Sequence, residues 1–110
     1  MQIISDNREK VELDKKNLTN KLIQMIHDEV YSCDCGIDFK VDWLDIKTDT
    51  TFFPILEVKC PGCKQNHKVI SDEMLVEIDK YGYPQSEMMY RCIDEIKKLK
   101  KSIKKGKFIF

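Results

Sequence analysis

The chain has no alanine at all, although alanine is normally among the commonest residues. Lysine, isoleucine and aspartate are used heavily instead, a bias of AT-rich coding that excludes no architecture. No stretch approaches the roughly 18 to 20 apolar residues that a membrane helix needs, so no membrane association is expected. Met1-Gln2-Ile3-Ile4-Ser5-Asp6 lacks the basic and apolar regions of a secretory leader, and a cytoplasmic location is the expectation. Also missing are a Gly-rich phosphate loop, a nucleophile elbow and any His-Glu-x-x-His pattern. No enzyme is expected. The acidic pairs Asp28-Glu29, Asp72-Glu73 and Asp94-Glu95 are explained by solvation of helix surfaces.

What is present fits one domain: 110 residues, 42% hydrophobic and 35% charged, enough to bury a single modest core. The formal charge of zero hides an asymmetry. Residues 96–110 carry seven lysines and no acid, so residues 1–95 hold 12 of the 19 bases and all 19 acids, a balance of −7. A basic end on an acidic body points to a polyanion or an acidic partner surface; the alternative is a solvated helix face.

Residues 1–16 are mostly polar and read as a flexible segment or a short strand. From Asn17 or Thr19 as N-cap, Leu18, Leu22, Met25, Ile26 and Val30 recur at helical spacing, which predicts a helix over 17–31. The central segment, 32–70, changes period. Ile37, Phe39, Val41 and Trp43 alternate with polar residues as in a half-buried strand. Thr48 to Thr51 reads as a turn, and Phe52 to Val58 as a second strand whose start Pro54 shifts toward Ile55. His67 to Ile70 supplies a third. Ser71, followed by Asp72 and Glu73, marks a helix start that runs to about Lys80 and stops at Tyr81-Gly82. A last helix follows Ser86 and ends near Lys105 and Gly106, giving a helical pair over 71–105 and an apolar tail at 106–110. The expected fold class is therefore α+β: a small hairpin or three-stranded sheet, an N-terminal helix, and two C-terminal helices.

Five cysteines in so short a chain, with a reducing compartment expected, favour metal over disulfides. Cys33-Asp34-Cys35-Gly36 and Cys60-Pro61-Gly62-Cys63 are separated by 24 residues. Two thiolates in a tight turn supply one edge of a tetrahedron, and a returning hairpin supplies the opposite edge. Gly36 and Gly62 give the backbone freedom such turns need, and Pro61 stiffens the second. The expectation is one structural Zn²⁺ held by Cys33, Cys35, Cys60 and Cys63. Inert buried thiols, a disulfide pair, or iron in the same S₄ shell are the competing readings.

These motifs resemble the zinc-ribbon group, and in particular small phage and bacterial proteins with a Cys-x-Cys-Gly … Cys-Pro-x-Cys ribbon followed by a lysine-rich helix. The resemblance covers about residues 31–110 and implies zinc and a binding role, without naming a target. Two departures stand out. The first knuckle is Cys-x-Cys rather than Cys-x-x-Cys, and Lys64 stands where ribbons often carry glycine.

His67 follows Cys63 at Cys-x₂-Cys-x₃-His spacing and is the alternative ligand. Cys92 falls on the apolar seam of the last helix and reads as a small buried hydrophobe.

The favoured function is a regulatory or adaptor protein that binds a protein partner through Lys97, Lys100, Lys101, Lys104 and Lys105 and through Phe108, Ile109 and Phe110. Nucleic-acid binding by the same lysines is the alternative. Self-association through the seam Met89, Cys92, Ile96, Leu99 and Ile103 is a third reading, and the oligomeric state stays open.

Overall fold

A computed structural model describes residue 2 and residues 4–106 of the chain. The architecture is α+β, with three helices and two small antiparallel sheets among the described residues. Helix α1 (Arg8–Asp28) leads into a hairpin of β1 (Tyr31–Ser32) and β2 (Asp38–Phe39). A 3-10 turn at Trp43–Asp45 connects it to β3 (Lys47–Asp49), β4 (Ile55–Lys59) and β5 (Asn66–Lys68), which pair in that order. Helices α2 (Asp72–Tyr81) and α3 (Gln85–Lys104) follow.

Helix α1 corrects the expectation for the N-terminal segment: the helix begins at Arg8, well before residue 17, and ends at Asp28. Its first half has no apolar stripe to betray it, since Val11 and Leu13 are exposed. Strong helix formers such as Arg8, Glu9, Lys10 and Glu12 favour it locally, and polar contacts to α3 hold it. Lys15 pairs with Glu87 at 2.7 Å and Arg91 with Glu12 at 3.0 Å. Thr19 is no cap. It lies inside the helix, where its hydroxyl donates to the Lys15 carbonyl at 2.8 Å, a back-bond open to mid-helix threonine. The second half is the expected apolar face, with Leu18, Leu22 and Ile26 almost wholly buried.

The long alternating strand expected over 37–43 is cut short. Only Asp38 and Phe39 pair in a sheet, because Asp42 accepts from the Leu44 backbone N–H at 3.1 Å and turns the chain into the 3-10 element. Thr48 and Asp49 join β3 rather than a turn. After Pro54 the ladder starts at Ile55, as expected from a residue without an N–H to donate. Leu56 and Val58 point into the core, while Ile55, Glu57 and Lys59 alternate on the opposite face. On that face the register sets Glu57 between Lys47 of β3 and Lys68 of β5, an acid flanked by two bases.

Helix α2 begins as the sequence predicts. The Ser71 hydroxyl accepts from the Met74 backbone N–H at 3.4 Å, and Asp72 and Glu73 occupy the positive first turn. It ends at Gly82, whose φ of 76° is the left-handed cap glycine supplies most cheaply. In α3 the seam turns inward: Cys92, Ile96 and Leu99 are buried, and Met89 and Ile103 pack against the core from its margin. The seam offered for self-association is thus consumed within the chain. One core joins all layers, with Met74 and Ile78 from α2, Met88 and Ile93 from α3, Leu56 and Val58 from β4, and Trp43 and Ile46 between them. Among the described residues no helix is long and apolar enough to cross a membrane.

Candidate metal centre

The two cysteine turns are built by the same backbone device. In the first, the Gly36 N–H donates to the Cys33 carbonyl at 3.0 Å and the Cys33 N–H to the Ile37 carbonyl at 2.9 Å. In the second, the Lys64 N–H donates to the Cys60 carbonyl at 3.1 Å and the Cys60 N–H to the Gln65 carbonyl at 3.0 Å. Each turn passes through the left-handed region once, at Gly36 (φ 94°) and at Lys64 (φ 65°). Gly62 does not take that role, which corrects the sequence reading of it. Its small size matters instead, since a Cβ there would overlap the Cδ1 of Ile37. The second turn therefore packs directly on the residue that closes the first.

This packing gathers the sulfurs of Cys33, Cys35, Cys60 and Cys63 so that all lie within 4.8 Å of one another. Cys33 Sγ is 3.4 Å from Cys63 Sγ, and Cys35 Sγ is 3.6 Å from Cys60 Sγ. These are not disulfides, whose sulfurs stand about 2.05 Å apart. Four sulfurs at about 2.3 Å from a central ion are separated by about 3.8 Å along each tetrahedral edge, so the cluster fits a metal ion. Cys33 and Cys60 are buried and Cys35 and Cys63 face solvent.

The thiols do not share protons evenly. The backbone N–H of Cys63, joined by that of Gly62, holds Cys60 down to about 7 against the cost of desolvation. For Cys33 the Cys35 backbone N–H acts in the same sense, but desolvation and the sulfurs of Cys63, Cys35 and Cys60 outweigh it and push the thiol up to about 12. Cys35 is also raised: the Ile37 N–H favours its thiolate, while desolvation and the Cys60 and Cys63 sulfurs prevail. Four thiolates this close repel one another unless a cation lies between them.

His67 stands outside the group. Its ring meets Phe39 edge-on at 5.5 Å between centroids, and its buried Nε2 has no hydrogen-bond partner among the described residues. Cys92 is buried in the helical core, where desolvation raises its thiol to about 12. His27 is on the exposed side of α1, beside the Asp28 carboxylate at 3.1 Å.

The lysines proposed for partner binding separate into two kinds. Lys97, Lys101, Lys104 and Lys105 are exposed and follow one helical stripe at i, i+4, i+7 and i+8. Lys100 instead donates to the Ile46 carbonyl, tying α3 to the segment before β3. Phe108, Ile109 and Phe110 lie outside the described residues.

Sequence reasoning missed Phe52 and Phe53, which it placed in a strand; they are 89% and 62% exposed in the loop before β4. The signal available was their adjacency, because strand neighbours point to opposite faces and only one of the two can be inside. No protein-family model matches the chain, and neither a curated protein nor a solved structure is significantly similar to it.

Proposed function

We propose that the protein is a non-enzymatic binding protein of the small phage or bacterial zinc-ribbon kind, in which one structural Zn²⁺ fixes the two cysteine turns. The rigid body so formed presents helix α3 to a protein partner as a regulatory adaptor. The observation that supports it is the four-sulfur cluster, with cross-turn distances of 3.4 and 3.6 Å. An S₄ shell suits zinc or iron, and the Cys-x-Cys first turn favours zinc over an iron site built from two Cys-x-x-Cys turns. Four thiolates leave no position for a reactive water, so the ion's contribution is structural.

The partner surface in this reading is the stripe of Lys97, Lys101, Lys104 and Lys105, exposed and unpaired among the described residues. An acidic protein surface complements it. The same unpaired cations favour one second reading, a nucleic-acid-binding accessory protein, because lysines meet phosphates without reading sequence.

Two measurements test this. Elemental analysis of the purified chain should give one zinc per molecule, with loss of folded structure on strong chelation. A chain that stays folded and metal-free overturns the zinc reading. Co-purifying material should be released by substituting the four stripe lysines with glutamine; nucleic acid released with a steep salt dependence selects the second reading, and acidic protein the first.

A further inference from the structure

Gln65 touches both cysteine turns without being a ligand. Its backbone carbonyl accepts from the Cys60 N–H at 3.0 Å and closes the second turn just before β5. Its side chain crosses to the first turn, where the amide Oε1 accepts from the Cys33 thiol at 3.5 Å. The side chain makes no other hydrogen bond among the described residues. With the residue exposed, its amide is free to turn about its last bond while the backbone stays fixed.

The contact as it stands requires a proton on Cys33. On the zinc reading above, that proton is lost when the ion binds, and a carbonyl oxygen would then face a thiolate, acceptor against acceptor. The shell has a second requirement. Four thiolates carry more negative charge than one Zn²⁺ cancels, and hydrogen-bond donors around the sulfurs offset the excess. Backbone N–H groups supply part of it: those of Cys63 and Gly62 act on Cys60, that of Ile37 on Cys35 and that of Cys35 on Cys33. We propose that Gln65 is a positioning residue of the metal centre, its side-chain NH₂ donating to the Cys33 thiolate in the loaded protein. A half-turn of the planar amide exchanges Oε1 for Nε2 and puts a donor where the structure has an acceptor. Glutamate has the same shape and can only accept from this place; lysine can only donate. The bond ties the closing residue of one turn to a ligand of the other, so it holds the two turns in the relation that binds the ion.

The test uses the full chain, nitrogen-labelled and loaded with a spin-active cadmium isotope, a soft ion that thiolates bind as they bind zinc. The Gln65 side-chain N–H should move downfield and show scalar coupling to the ion through the Cys33 sulfur. This measurement needs no variant, so misfolding cannot imitate it. Zinc affinity, read by chelator competition, should fall about tenfold in Gln65→Met and further in Gln65→Glu, whereas Gln65→Lys should recover most of the loss. An uncoupled amide, or equal zinc affinity in all of these proteins, overturns the proposal and leaves the zinc reading standing. A chain whose cysteines take up no metal overturns both.

Discussion

The Tyr31 hydroxyl donates to the Val69 carbonyl at 2.6 Å across 38 residues, joining the start of the hairpin to the segment that launches α2. Burial, with the negative charge of Glu29 adding to it, raises this phenol well above its ordinary range. Tyr31→Phe leaves the Val69 carbonyl without its donor, at an expected cost of about 1–3 kcal/mol, measured by urea unfolding at pH 8.

The same residue sets an alkaline limit. A raised folded-state pKa means that the unfolded chain releases this proton first, so the stabilisation is complete below about pH 10 and fades as pH rises beyond it. The parent protein should therefore lose more stability between pH 9.5 and 11 than Tyr31→Phe does. Parallel slopes in urea titrations across that range would show that the phenol has no such linkage.

The cysteine cluster predicts an opposite, acidic limit for metal retention. Cys33 and Cys35 are raised, so protons compete with the ion for these sulfurs, and binding releases them. Zinc affinity should fall steeply from pH 7.5 to 5.5 in competition with a chromophoric chelator. A flat profile would exclude thiols as the ligands.

The two cysteine turns tolerate change at different positions. Lys64 holds a left-handed φ, which costs an L-residue roughly 1–2 kcal/mol, so Lys64→Gly should be neutral or stabilising and Lys64→Val destabilising. Gly62→Ala should be tolerated with a small loss of stability, since the atom its Cβ meets is the far end of the exposed Ile37 side chain, which can rotate aside. Thermal unfolding of the metal-loaded variants reads both.

Cys92 should be inert in the native protein. Its thiol is pushed up to about 12 by burial, leaving little thiolate at pH 8. Alkylation followed by mass spectrometry should label it only after denaturant is added; prompt native labelling would place it at an accessible surface.

Much of this was readable from the chain alone where a residue type acts on its own neighbourhood. Ser71 and Gly82 announce the ends of α2, and the paired cysteines announce their cluster. The N-terminal half of α1 was not readable because its partners are distant and polar: Lys15 meets Glu87 72 residues away, and Glu12 meets Arg91 79 residues away. Ion pairs between helices leave no periodic mark. Gly62 and Lys64 were legible as a turn but not in their duties, since residue type alone points to glycine for the left-handed conformation that Lys64 takes. Phe52 and Phe53 were misplaced because hydrophobic character was taken for burial, whereas a loop fixed by Asp49 carries them outward.

The Lys100 contact with the Ile46 carbonyl makes that lysine unequal to its neighbours. Acetylation along α3 would have two separate outcomes: on Lys97, Lys101, Lys104 or Lys105 it removes charge from an open stripe, while on Lys100 it cuts a tie between the helix and the entry to the sheet. A single enzyme modifying these lysines would thus alter surface potential along the stripe, break the Lys98–Glu95 pair, and loosen the scaffold at Lys100.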